Sequence, residues 1–168
     1  MNFPDNFAKL AQYNQWINDV LYDCAARLSD EARKRDVGAF FKSLHGTMNH
    51  LLLGDKIWLG RFVGEPFTAT SLRHELYGDF AALRAERCAH DLRILAWAGK
   101  LDPAWLSGRF EYRRVNGAVV AADALMIVTH FFNHQAHHRG QMTTILMQLG
   151  VDPGDVDLIM MPGVVEGL

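Results

Sequence analysis

Four of the eight histidines fall within nine residues, at His130, His134, His137 and His138. A neutral imidazole is the commonest side-chain ligand for a transition metal, so crowding of this kind points first to metal chemistry. At about 100° per residue on a helix, with His134 at zero, His138 lies near +40° and His130 near −40°. Ile127, Phe131, Gln141, Ile145 and Leu149 share that sector, which makes it the expected buried face. Histidines at i and i+4 stand one turn apart, and their rings can meet one ion at the ~2.0 to 2.1 Å of a zinc–nitrogen bond. A third donor from another helix would complete a set that leaves coordination positions open. His130 competes for that place, but three histidines along one straight helix span about 12 Å, too far for one ion. It is expected to orient a ligand or line a pocket, and His137 to face solvent or support a neighbour. A pair at i, i+4 also suits a hydrogen-bonded core, and spacing alone leaves both readings open. Because ligation needs a neutral ring, occupancy should fall as pH drops below about 6.

Other chemistries are excluded by what surrounds these residues. A zincin helix needs Glu directly after its first histidine, where this chain has Gln135. A ferritin-like di-iron centre needs Glu three residues before a histidine, and no histidine here has Asp or Glu at that offset. No Gly-x-Ser-x-Gly elbow is present for a serine hydrolase. Cys24 and Cys88 stand apart without a C-x-x-C partner and suggest no redox or metal role.

The histidines need elements to position them, and four stretches with a 3.6-residue apolar rhythm supply these. The first runs from about Asp5 to Leu28. Asn14 and Asn18 lie on its apolar side, where buried amides need partners, and are expected to bond between helices. The second runs from about Ala32 to Val63, carrying Val37, Phe40, Phe41, Leu44, Met48, Leu51, Leu52, Trp58, Leu59 and Phe62 before Pro66. Asp55 sits inside that stripe, so it must have a structural partner or support a site. The third stretch is expected to begin at a Ser71 cap and stop at Gly99, with His74 and His90 as ordinary helix residues. Between Gly108 and Val120 alternating residues around Asn116-Gly117 read as a β-hairpin. The fourth helix is expected over about Ala121 to Leu149, ended by Gly150, and the tail with Pro153 and Pro162 excludes a fifth long helix. Arg139 points away from the His134 face, toward a structural ion pair.

The fold class is therefore all-α, a four-helix bundle with a small β-hairpin before the last long helix, in one domain over residues 1–168. The 168 residues, 49% hydrophobic and 21% charged, can close one core and hardly two. Seventeen Lys and Arg against nineteen Asp and Glu leave no basic field to draw in nucleic acid. The longest span candidate, Gly117 to Phe132, is interrupted by Asp123 and His130, and Met1 to Leu10 lacks the pattern of a signal peptide. A cytoplasmic location is the expectation.

The run Asn49-His50-Leu51-Leu52-Leu53-Gly54-Asp55-Lys56-Ile57-Trp58, with Phe132-Asn133-His134-Gln135-Ala136-His137-His138-Arg139-Gly140-Gln141, resembles the DinB (DNA-damage-inducible) family of small four-helix proteins. Tyr13-Asn14, Trp16 and Asn18, and the closing Gly150 to Leu158 segment, are similar to the same family. The resemblance implies a divalent ion, zinc or nickel, held by His50, His134 and His138. It also implies a bundle with a long crossover connection and a homodimer. Periodicity alone sets His50 roughly 130° from the main apolar stripe, beside Leu53 and Ile57. Either the second helix is buried on two sides, one of them at a dimer interface, or His50 does not join the cluster.

Similar proteins include transferases using small thiols such as bacillithiol or mycothiol, a thiol-dependent isomerase of maleylpyruvate, and hydrolases. The expectation is a metal-dependent hydrolase or thiol transferase acting on a small molecule, with Asp55, His130 and Gln141 supporting the ligands or lining the pocket. The alternatives are a non-catalytic metal-binding protein of stress response or interaction, and a metal-free bundle whose histidines only hydrogen-bond.

Overall fold

The structure is a computed structural model that describes residues 2–69, 71–114 and 117–165. Four long helices run over α1 (Phe3–Ala26), α3 (Leu44–Phe62), α4 (Phe80–Ala98) and α6 (Ala124–Gln148). Two short ones, α2 (Asp30–Lys34) and α5 (Pro103–Leu106), sit in the connections, and a 3-10 turn covers Leu158–Met160. Strands β1 (Arg109–Arg113) and β2 (Val119–Asp123) pair antiparallel, Arg109 with Asp123 and Arg113 with Val119, directly before α6. The turn holds Gly117 at φ +86°, a left-handed value that glycine adopts without strain. Val115 and Asn116, part of the expected hairpin turn, lie outside the described residues.

Local chemistry accounts for the helix ends. The Ser43 hydroxyl accepts from Gly46 N at 3.0 Å to start α3, and the Asp79 carboxylate accepts from Ala82 N at 2.8 Å to start α4. Gly150, at φ +81°, follows the end of α6 in the left-handed conformation that closes helices.

The core has two apolar clusters. One joins Ile17 and Leu21 of α1, Leu44, Met48 and Leu51 of α3, Leu83 of α4, and Met142 and Ile145 of α6. The other joins Phe7 and Ala11, Leu59, Ile94 and Ala98, and Val128, Phe131 and Phe132. The first thus gathers the start of α3 and α4 with the end of α1 and α6, and the second the reverse. So α1 and α6 run one way and α3 and α4 the other. Since α3 and α4 are parallel, residues 63–79 must travel back along the bundle. Seventeen residues extended reach roughly 55 Å, ample for an α3 about 28 Å long.

Between the clusters all four long helices turn polar at the same level. Arg87 lies 2.7 Å from Asp55 through Nη1 and 2.7 Å from Asp91 through Nη2. Asn14 and Asn18 donate to Asp91 at 2.7 and 3.1 Å, so these two asparagines do bond between α1 and α4. Gln135 Nε2 donates to Asp55 at 3.1 Å, and Arg139 Nη1 donates to Asn14 Oδ1. Arg139 is buried without an ion pair among the described residues. It lies 5.3 Å from the Tyr13 ring centroid instead.

The last helix starts at Ala124 rather than Ala121, because Ala121, Ala122 and Asp123 pair in β2, and two further boundaries move more. The second stretch is not continuous, because α2 ends at Lys34 and α3 begins at Leu44. Between them Gly38 and Lys42 have positive φ, and Ala39 and Lys42 form an isolated bridge, which no helix can contain. Phe40, assigned to the apolar stripe, is 68% exposed. The third helix begins after Asp79, not Ser71. The hydroxyl of Ser71 caps only a turn at Arg73 N, since that chain is still crossing over.

Candidate metal centre

His50 comes from the middle of α3, and His134 and His138 from successive turns of α6, two helices that pack against each other. The two rods approach closely at Gly54. A Cβ there would stand 2.9 Å from His134 Cε1, so only glycine lets the ring cross toward His50. A mid-helix glycine costs about 1 kcal/mol relative to alanine, and the space it leaves is what the ring occupies.

The face of α3 that carries His50 is covered by the crossover. Asn49 Oδ1 accepts from Leu76 N at 2.9 Å and Tyr77 N at 3.0 Å, while its Nδ2 donates to Tyr77 O at 3.1 Å. This clamp holds the strand of chain whose Leu72 carbonyl lies 2.8 Å from His50 Nδ1. Helix α3 is therefore buried on two sides within the chain itself, with Leu53 and Ile57 buried beside His50. Phe41 adds a lid of apolar surface, stacked on the His50 ring at 3.8 Å between centroids.

A carbonyl only accepts, so His50 Nδ1 carries the hydrogen and its Nε2 a lone pair. His138 is oriented the same way, with Nδ1 2.8 Å from Gln141 Oε1. The other end of the Gln141 amide reaches His137 Nε2 at 3.3 Å. His138 Nε2 then stands 3.1 Å from His50 Nε2 and 3.1 Å from His134 Nε2. One ligand atom from each residue falls within a 4.8 Å group. Donors bound to one ion at ~2.0 to 2.1 Å and tetrahedral angles are about 3.4 Å apart, so the spacing suits a shared cation.

Two lone pairs facing at that distance repel unless a positive species lies between them. Protons are disfavoured there. Burial lowers the His134 pKa to about 3, with the neighbouring His138 and His50 adding to the shift. Burial also lowers His50, against the bond to Leu72, and lowers His138, against the bond to Gln141. The His134 ring thus stays neutral well below the ordinary imidazole range, and burial shifts its two neighbours in the same direction. The donor set fits a divalent ion, and the cluster is able to coordinate one.

The remaining expected residues fall at three distances from the cluster. Gln141 touches it through His138. Asp55 is fully buried in the mid-bundle layer, where burial pushes its carboxyl up and Arg87 draws it back. It touches no cluster ring, and it bonds Gln135, the residue after His134. His130 is exposed, not on the buried face. Its ring lies 5.3 Å from Trp58, edge to face, and lines a cavity with His50 and His134. His137 is exposed as well. His74 lies in the crossover and no helix contains it, whereas His90 is buried in α4.

Two cavities flank the cluster. One, about 680 Å³, is bordered by His50, His134, Trp58, Arg61 and Tyr112. The other, about 710 Å³, is bordered by all three cluster histidines with Phe41, Arg73 and Gln141. Both lie within the range of small-molecule sites. Sequence reasoning missed Gly54, Asn49, Phe41 and Arg61. The Asn49-His50 pair and a glycine four residues after His50 were the available signals.

The model of the DinB family matches residues 1–163. A protein of Bacillus subtilis (strain 168) named Protein DinB is 23% identical over 156 residues, which is 89% of this chain and 89% of that protein.

Proposed function

The chain belongs to the DinB family, and from that premise we propose that it is a metal-dependent enzyme acting on a small molecule. His50, His134 and His138 hold the ion, zinc or nickel. The observation that carries the reading is the convergence of three Nε2 atoms, with the His50 ring turned inward by the Leu72 carbonyl, the His138 ring by Gln141, and the His134 ring lying against Gly54. Three neutral donors leave a divalent ion its full charge, and such an ion acidifies a water or thiol near neutral pH. Either would suit hydrolysis or transfer of a small thiol.

The chain's own residues have separate tasks. Gln141 fixes the tautomer and tilt of His138, and the crossover carbonyl does the same for His50. Phe41 keeps water from the back of the His50 ring. His130 lines the substrate side, and Asp55 holds α3 against α4 and α6. The three-donor set and its two adjoining cavities favour catalysis over a purely structural ion, for which a closed four-ligand sphere is usual. The reading includes a cytoplasmic homodimer. Among the described residues no helix is long and apolar enough to cross a membrane.

Elemental analysis of tag-free protein tests the reading. Wild type should carry about one divalent ion per chain, and His134→Ala should lose it while remaining helical. Equal metal content in both would remove the basis of the proposal.

A further inference from the structure

This inference rests on the metal-dependent reading and names the substrate class. Along α3 the residues His50, Gly54, Ile57 and Arg61 recur at three- and four-residue steps, so they share one face. Arg61 stands about 16 Å along the axis from His50. The 680 Å³ cavity joins the two ends.

Arg61 is a positioned cation without a counter-ion among the described residues. Its guanidinium carbon lies 4.6 Å from the Trp58 ring and 4.7 Å from the Tyr112 ring, between an α3 side chain and a β1 side chain. Its Nη2 donates to the Arg113 carbonyl at 3.0 Å. Among the described residues it makes no ion pair. Glu111 borders the adjoining cavity and is not paired with it. Arg114 lines the same 680 Å³ cavity, and among the described residues no Asp or Glu does. Arg87 in the core and Arg84 on the surface, by contrast, each face a carboxylate.

We propose that this cavity takes a small substrate with a carboxylate at one end. The carboxylate meets Arg61, with Arg114 beside it, an apolar body lies along Ile57 and Ile127, and the reacting group sits at the histidine cluster. A planar guanidinium pairs a carboxylate through two parallel hydrogen bonds. The aromatic faces already hold it in place, so little rotamer entropy is lost on binding. The Trp58 and Tyr112 faces that could attract a cation are already taken by Arg61, and Arg61 with Arg114 would repel one.

The test uses cobalt(II)-loaded protein, with cobalt uptake measured first, and reads sulfur-to-cobalt absorption on titration with 6-mercaptohexanoate or the uncharged 6-mercaptohexanol. Wild type should bind the carboxylate at least ~10-fold more tightly, a difference typical of one charge-assisted pair. Arg61→Gln should bring the two within ~2-fold, leaving cobalt content and the affinity of the alcohol unchanged, and exposed Arg114→Gln should weaken the preference in part. Equal affinities in wild type would overturn the inference, as would a preference that survives Arg61→Gln with Arg114→Gln. Cobalt uptake without preference defeats this inference alone; no uptake defeats the metal reading and this one with it.

Discussion

Two polar clusters lie at mid-height in the bundle, and they solve the burial problem in opposite ways. The Arg87 layer sets one arginine between two aspartates, and amides from α1 and α6 take up the remaining carboxylate oxygens and Arg139. The histidine cluster has no counter-charge, and its His50 and His138 rings turn acceptors toward each other. Its hydrogens point outward to Leu72 and Gln141, its lone pairs inward to one another. A layer whose charges are matched internally needs nothing from outside and serves to hold helices. A group of matched acceptors is incomplete alone, and that incompleteness marks the site.

The largest effect should come from the matched layer. Arg87→Met strands two buried carboxylates and should cost about 3–5 kcal/mol in urea unfolding, as for other broken buried pairs. A loss under about 1 kcal/mol would mean that the layer is not what binds the helices. Gly54→Ala sharpens the other side. Helix propensity should raise or preserve stability, while the added Cβ at 2.9 Å displaces His134 and weakens metal binding roughly 10- to 100-fold, as loss of ligand orientation does. Calorimetric titration would check it; unchanged affinity would mean that His134 is not held by that contact.

The smallest effect per pH unit concerns His90, buried in α4 beside Arg87 and the backbone of Asp55. Burial, with Arg87 adding, lowers its pKa from 6.5 to about 3. The unfolded chain then binds the extra proton, so stability falls as pH drops from about 6.5 toward 3, by at most about 1.4 kcal/mol per pH unit. In His90→Leu that slope should be shallower by up to one proton's worth. Parallel slopes for the two metal-free proteins would show that His90 is not held neutral.

What the sequence reveals follows the range of the interactions. His134 and His138 are legible because one helix turn relates them. Asn14 and Asn18 are legible because a buried amide must bond somewhere. His50 is visible only through the family motif, since what covers its side of α3 is the crossover, a contact that helix periodicity does not encode. The start of α3 is hidden because Val37, Phe40 and Phe41 continue the apolar rhythm through a segment whose backbone leaves the helix at Gly38 and Lys42. Ser71 and Asp79 are both good caps, and only the length needed to recross the bundle selects the second. Arg61 looks like a surface charge until β1 brings Tyr112 over it.

Residues 63–79 fasten a ligand at one point and wall the two chambers at others, since Leu72 borders both. On the proposed reading, selectivity and metal affinity are linked by inheritance. A change that reshapes the chambers through this strap would also tug on His50, so new substrates would be reached more cheaply from the hairpin side, where Tyr112 and Arg114 line the chamber apart from the strap.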